Sequence, residues 1–189
     1  MKIAFVIYDG LTLLDFAGVF DPVTRLKTMG FRDDIQWDLC ARKATVRSIE
    51  GIMLTADRSD NCLADYDYVI VPGGDGIKGL MQDRAFLRWI SVASDTTIVA
   101  ALCGGSLLLG AAGMLRTKRA TTHPDLAGFL KNFAREVVPD RITDEGNVIT
   151  AGGVTAGIDL GLYLCGKIAG DEVREKIQRQ MDYRNYCMK

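Results

Sequence analysis

The residues with the clearest chemical potential form one short segment in the middle of the chain. An apolar run from Ile98 to Leu102 leads into Cys103, and Gly104 and Gly105 follow directly before a helix-like segment. Glycines permit a sharp turn between a strand and a helix, and such a turn lifts the side chain at its apex into the crevice above a sheet. The helix start adds free N–H groups and partial positive charge, which favour a thiolate. We therefore predict that Cys103 is a nucleophile, with a buried core cysteine as the alternative.

A glycine-rich loop, Val71-Pro72-Gly73-Gly74-Asp75-Gly76, follows another predicted strand. Its backbone N–H groups could face a bound anion or a developing negative charge, so Gly74 and Gly104 are predicted oxyanion or substrate-binding positions. Gly74, Gly76 and Gly79 also match the G-x-G-x-x-G spacing of dinucleotide-binding turns. That fingerprint belongs to the first strand-to-helix turn of a fold, whereas this loop comes later. A plain tight turn is the other interpretation.

Two titratable residues could assist the thiol. Asp15 comes shortly after the first predicted strand and just before a helix. It could cap that helix, or it could share a proton with a nearby thiol in the crevice. His123, the only histidine, lies in Ala-Thr-Thr-His-Pro and is either a structural hydrogen-bonding residue or a supporting proton carrier. One histidine and scattered cysteines form no recognisable ligand set, so no metal site is predicted.

Strand-like and helix-like segments that could position these residues alternate along the chain. Apolar runs predict strands at 3–8, 37–41, 68–71 and 98–102, and turn residues predict hairpins within 46–54 and 141–150. Helical spacing predicts helices at 16–29, with a kink or restart at Pro22, and at 86–93, 106–112, 125–133, 155–169 and 171–181. This alternation predicts one α/β domain over residues 1–189, with a mostly parallel sheet and helices on both faces. Its binding crevice should lie at the carboxyl ends of the strands.

Composition narrows the function classes. Hydrophobic residues make up 48% and charged residues 25%, which is typical of a globular protein. The formal net charge is -1 and no long basic run occurs, so a nucleic-acid partner is not predicted. No stretch approaches 18 apolar residues, so no membrane-spanning helix is predicted. The five cysteines are widely spaced and form no C-x-x-C pair, which indicates a reducing, cytoplasmic environment.

The order of several blocks resembles the ThiJ/PfpI superfamily of class I glutamine-amidotransferase-like domains. These blocks are Leu-Asp-Phe-Ala-Gly, Val-Pro-Gly-Gly-x-Gly, Cys-x-Gly-Ser-Leu-Leu-Leu-Gly-Ala-Ala-Gly, Arg-Ala-Thr-Thr-His and Gly-Gly-Val-Thr-Ala-Gly-Ile-Asp. Within the superfamily, the chain is most similar to the bacterial isonitrile hydratases. The resemblance implies a flavodoxin-like three-layer sandwich, a cysteine at a nucleophile elbow and a homodimer whose second subunit helps to close the crevice.

The same resemblance implies a function. The essential residues of isonitrile hydratases are an early aspartate, the elbow cysteine and the threonine that follows it. Asp15 and Cys103 match the first two, whereas Gly104 stands where the hydratases have threonine. The implied activity is that of a lyase that hydrates an isonitrile, a small molecule, to an N-substituted formamide without a cofactor. The alternatives are a non-enzymatic redox- or ligand-sensing domain, and an enzyme that acts on another small electrophile such as a reactive carbonyl.

Overall fold

The computed structural model describes residues 1–91 and 96–184. Its strands are β1 (Lys2–Val6), β2 (Gln36–Ala41), β3 (Thr45–Arg47), β4 (Met53–Thr55), β5 (Arg58–Ser59), β6 (Tyr68–Val71), β7 (Ile98–Leu102), β8 (Arg119–Ala120), β9 (Glu136–Val137), β10 (Ile142–Asp144) and β11 (Val148–Ala151). Its α-helices are α1 (Leu13–Thr28), α2 (Ile77–Leu80), α3 (Arg84–Ile90), α4 (Gly105–Ala111), α5 (Ala127–Leu130), α6 (Ala156–Ala169) and α7 (Asp171–Gln180). None of these helices combines the length and the apolar character that crossing a membrane requires.

A seven-stranded sheet in the order β10-β11-β7-β6-β1-β2-β5 forms the centre of the fold. All its neighbouring strands are parallel except β10, which pairs antiparallel with β11. Strands β6, β11 and most of β1 and β7 are buried, as expected for strands covered by helices on both faces. The predicted mostly parallel α/β architecture is confirmed.

The strand order explains why helices cover both faces of the sheet. Helix α1 connects β1 to β2, whereas α2 and α3 lie between β6 and β7, and these two connections run in opposite directions along the sheet. Right-handed crossovers then place them on opposite faces. The helix contacts agree, because α1 packs on α6 and α7 while α4 packs on α2, α3 and α5.

Several elements differ from the sequence prediction. Helix α1 begins at Leu13 and continues through Pro22 without the predicted restart. Its packing on α6 holds it there: a Cβ added at Gly161 would lie 2.8 Å from the Pro22 ring. The predicted helix at 125–133 is instead a 3-10 turn followed by the short α5. The end of the predicted helix at 86–93 lies outside the described residues.

Other elements carried no recognisable sequence signal. The two-residue strands β5, β8 and β9 are too short to show a period, and β8 pairs with β9 in a small separate parallel ladder. Both predicted hairpins are present, as β3–β4 and β10–β11.

The register of the central strands brings their carboxyl ends together. Phe5 of β1 pairs with Ile70 of β6, and Val71 of β6 pairs with Ala101 of β7. The loops that follow β1, β6 and β7 therefore leave the sheet side by side. These loops lead to α1, to the glycine-rich segment and to Cys103.

Candidate active site

Cys103 occupies a sharp turn between β7 and α4. Its backbone has φ 52°, a left-handed conformation that costs a residue with a side chain about 1–2 kcal/mol. Hydrogen bonds hold this conformation: the Cys103 N–H donates to the carbonyl oxygens of Ala151 (3.1 Å) and Gly152 (2.9 Å), and the Thr122 hydroxyl donates to the Cys103 carbonyl (2.7 Å). The turn has the geometry of a nucleophile elbow, and Thr122 gives the Ala-Thr-Thr-His block a structural role.

The glycines after the cysteine meet different neighbours. A Cβ on Gly105 would lie 2.3 Å from the Val71 carbonyl oxygen, so the close approach of β6 excludes any larger residue there. Gly104 has φ -61°, a conformation open to every residue. A Cβ on Gly104 would lie 2.6 Å from Cδ1 of Ile77, so the Ile77 side chain fills the space that a larger residue would need.

Asp15 is the third residue of α1, and its side chain is fully buried. Its Oδ2 accepts a hydrogen bond of 3.0 Å from the Gly73 N–H, whereas its buried Oδ1 has no hydrogen-bond partner among the described residues. Thr12 occupies the N-cap position, so the interpretation of Asp15 as a helix cap is wrong. The buried carboxyl instead lies within the electrostatic reach of the Cys103 thiol.

Gly73 is the residue on which these groups converge, and sequence reasoning missed it. A Cβ at Gly73 would lie 2.6 Å from Oδ2 of Asp15, 2.6 Å from the nitrogen of Gly104 and 3.0 Å from Cβ of Cys103. Any side chain would therefore separate the carboxyl from the elbow. The Pro-Gly-Gly sequence signals a tight turn, but it does not distinguish Gly73 from Gly74.

The thiol opens onto a cavity of about 300 Å³. Its apolar walls come from Ile49, Ile77, Leu126 and Val154, and its polar lining includes Thr12, Lys78 and Asp125. Gly74, Gly104 and His123 line the same cavity, so the structure brings four of the five predicted site residues to it, whereas Asp15 is fully buried and bonded to the Gly73 N–H. Within residues 1–91 and 96–184, no group of three or more His, Cys, Asp or Glu could hold a metal ion.

Comparison with known proteins agrees with this geometry. The model of the DJ-1/PfpI family matches residues 1–166. The chain belongs to the DJ-1/PfpI family. Isonitrile hydratase from Pseudomonas putida is 35% identical over 185 residues, covering 97% of this chain and 78% of the hydratase.

Solved DJ-1/PfpI structures share the fold. A ThiJ/PfpI family protein from Pseudomonas syringae superposes with a TM-score of 0.86 at 28% identity, covering 97% of this chain and 75% of that one. Schizosaccharomyces pombe DJ-1 gives a TM-score of 0.81 at 20% identity, covering 97% of this chain and 100% of that one, and shows the fold alone. The resemblance to the superfamily and the flavodoxin-like arrangement are thereby confirmed.

The acid–base properties of this DJ-1/PfpI site differ from the sequence expectation. Burial is the larger cause and the negative charge of Asp15 the second; together they raise the pKa of Cys103 from 9.0 to about 11. The N–H groups of Gly104 and Val154 lower it, but they do not offset the loss of water. The N–H group at the helix start therefore favours the thiolate, as expected, but burial and the charge of Asp15 outweigh it, so the protonated thiol is the favoured form. Val154, whose N–H faces the sulfur, is a second residue that the sequence did not identify.

Burial acts on Asp15 in the same direction. It raises the pKa of the carboxyl from 3.8 to about 6, against the lowering influences of the Cys103 thiol, the Gly73 N–H and His123. Between these two pKa values the pair holds one proton, which the carboxyl and the thiol can exchange. A hydrogen bond of 2.7 Å from the buried Tyr8 hydroxyl to the Pro72 carbonyl steadies the loop beside the pair.

The remaining predicted residues hold definite positions in the DJ-1/PfpI site. Nδ1 of His123 accepts a hydrogen bond of 3.2 Å from the Asp125 N–H, which leaves the proton of a neutral ring on Nε2. A Cβ at Gly153 would lie 2.4 Å from the His123 ring, so the ring packs closely against that backbone. Gly74 has φ 141° and forms a bridge with Leu11, which ties the glycine-rich loop to the start of α1.

Proposed function

We propose that the protein is a cysteine-dependent hydratase that converts an isonitrile into an N-substituted formamide. The observation that carries the proposal is the buried Asp15 carboxyl beside the elbow cysteine. One of its oxygens is bound to the Gly73 N–H, and the other is buried without a hydrogen-bond partner in the part of the chain that the structure describes. Such a carboxyl can take a proton from the thiol and deliver it to a substrate atom. The likeness to the Pseudomonas putida hydratase supports the choice of substrate.

In the first half of the reaction, the hydrogen and the sulfur of the thiol both add to the terminal carbon of the isonitrile. A proton from the Asp15–Cys103 pair is transferred to the terminal isonitrile carbon, and the Cys103 sulfur forms a bond to the same carbon. The carbon–nitrogen triple bond becomes a double bond, giving a thioimidate, R–N=CH–S–Cys. Because Oδ2 of Asp15 is held by Gly73, the proton passes through Oδ1.

The second half returns the thiol. Water adds to the thioimidate carbon, and Asp15 accepts a proton from it. The carbon–sulfur bond breaks, the nitrogen gains a proton and R–NH–CHO leaves. The overall reaction takes up one water and transfers no electrons to or from the protein. The N–H groups of Gly104 and Val154 stabilise charge on sulfur, and Gly74 is the proposed donor to charge that develops on the substrate.

The cavity fits a small molecule with an apolar substituent. Ile49, Ile77, Leu126 and Val154 line it, so the R group would lie against aliphatic side chains. An isonitrile is uncharged and needs no cationic partner. The proposed location is the cytoplasm, as the unpaired cysteines indicate.

A redox-sensing role is less well supported by the site. Reversible oxidation requires a thiolate, and burial together with the charge of Asp15 raises the pKa of Cys103 to about 11. An enzyme acting on another small electrophile is the stronger alternative. One feature favours it: Gly104 offers no hydroxyl at the position where hydratases of this type have threonine.

The test is direct turnover. Purified protein is incubated with a panel of alkyl and aryl isonitriles, and formamide release is followed by mass spectrometry. We expect turnover that Cys103→Ser abolishes and that Cys62→Ser, the matched control at an exposed cysteine, leaves unchanged. If the folded protein releases no formamide from any of the isonitriles, the hydratase proposal is refuted.

A further inference from the structure

Glu50, at the turn between β3 and β4, caps helix α1 from outside the helix. Both oxygens of its carboxylate accept a hydrogen bond from the Leu13 N–H, at 3.1 and 3.2 Å. Leu13 is the first residue of α1, and the N-cap residue Thr12 makes no side-chain capping bond. The N–H of Ile49 donates to the Leu11 carbonyl at 2.9 Å, which fastens the hairpin to the same segment.

This cap resolves an electrostatic conflict within the site. Asp15 lies in the first turn of α1, where the partial positive charge of the helix end favours an ionised carboxylate. The proposed reaction needs a carboxyl that can hold and deliver a proton. A negative charge placed on the helix end opposes its field, and Glu50 is bound at that point.

We propose that Glu50 is a positioning residue that raises the proton affinity of Asp15 by neutralising the amino-terminal end of α1, and that it holds Ile49 in the cavity wall. This inference rests on the proposed function for its catalytic meaning, because only a proton-donating Asp15 benefits from such a residue. The hairpin links the neutralised helix end to the cavity wall, because Glu50, which binds the helix end, directly follows Ile49, which lines the cavity.

The other groups that face Asp15 belong to the site itself. Cys103 follows β7, Tyr8 follows β1 and His123 lies beyond β8, and each interacts electrostatically with the carboxyl or its pair. His123 lowers the pKa of Asp15, whereas the charge of Glu50 raises it. Partial desolvation of Glu50 is outweighed by hydrogen bonds with the Ser48 hydroxyl and the Leu13 N–H, which hold the pKa of Glu50 below its usual value. Glu50 therefore stays negative while Asp15 titrates.

The experiment measures the titration of Asp15 rather than turnover, so its result is independent of the hydratase proposal. The carboxylic-acid C=O band of Asp15 is assigned by infrared difference spectroscopy against Asp15→Asn and followed with pH at low salt. Glu50→Gln keeps an oxygen acceptor for the Leu13 N–H and removes only the charge. We expect the pKa of Asp15 to fall by about 0.2–0.7 pH unit, about 1.6- to 5-fold in its dissociation constant, as for a solvent-screened ion pair.

Glu172→Gln is the control variant. Glu172 is an exposed carboxylate on α7 that pairs with Lys176, and it is not among the charges that shift the pKa of Asp15. The control should leave the Asp15 titration at its wild-type midpoint. An unchanged or higher Asp15 midpoint in folded Glu50→Gln would overturn the inference, and so would a shift of equal size in the control.

Discussion

Replacing Asp15 by asparagine should stabilise the protein at neutral pH while it abolishes turnover. The asparagine oxygen can still accept the Gly73 hydrogen bond, and the amide resembles the protonated carboxyl in shape and charge. The substitution therefore removes the burial of a negative charge and little else. Because the proposed mechanism moves a proton through this carboxyl, the same variant should release no formamide.

The sign and size of the stability effect follow from the pKa of Asp15. Burial raises it from 3.8 in the unfolded chain to about 6 in the folded protein, so the wild-type protein loses stability as pH rises from about 4 to about 6. A difference of about two pH units at about 1.4 kcal/mol each corresponds to about 3 kcal/mol above pH 6. Asp15→Asn should regain up to that amount at pH 7, and almost none at pH 3.5, where the wild-type carboxyl is protonated in the folded protein and mostly protonated in the unfolded chain.

Urea unfolding of both proteins at pH 7 and pH 3.5, followed by the fluorescence of Trp37 and Trp89, measures this difference. The free energy of unfolding should be higher for Asp15→Asn at pH 7, with an unchanged dependence on urea concentration. A variant that is less stable at pH 7, or that differs from wild type by the same amount at both pH values, would show that Asp15 is not a carboxyl with a raised pKa. Retained turnover would separately refute its role in proton transfer.

Three further predictions concern the elbow and the surface. The double variant Gly104→Thr/Ile77→Val should raise isonitrile turnover about 100-fold if a hydroxyl at position 104 positions the substrate. Ile77→Val is included because it removes the Cδ1 atom that would lie 2.6 Å from the new Cβ, so Gly104→Thr alone should gain less. Alkylation followed by mass spectrometry should modify the exposed Cys62 before Cys103 at pH 7, and Cys103 labelling should keep rising towards pH 11; a plateau below pH 9 would contradict the raised pKa. Light scattering should give the mass of a dimer, and Ile52→Asp, a change in the exposed apolar part of the β3–β4 hairpin, should dissociate that dimer. A wild-type mass of about 21 kDa would refute the dimer.

The sequence by itself determined the architecture and the position of the elbow. Strands β6 and β7 match the predicted bounds because a strand covered by helices on both faces must be apolar throughout, and that pattern is local. The elbow was visible for the same reason, since Cys103 and the glycines that permit its turn are consecutive residues. The start of α1 and a restart of the helix at Pro22 were predicted wrongly, because packing of α1 on α6 overrides local propensity.

Only the tertiary structure decided the chemistry of the thiol. Asp15 looked like a helix cap because its true partner, the Gly73 N–H, lies 58 residues away in the chain. The N–H of Val154 and the carboxylate of Glu50 act on the site from other segments, and no local pattern marked either of them as a site residue. A pKa depends on how much water the whole fold removes, so the neighbours of Cys103 in sequence suggested a thiolate while its neighbours in space favour a thiol.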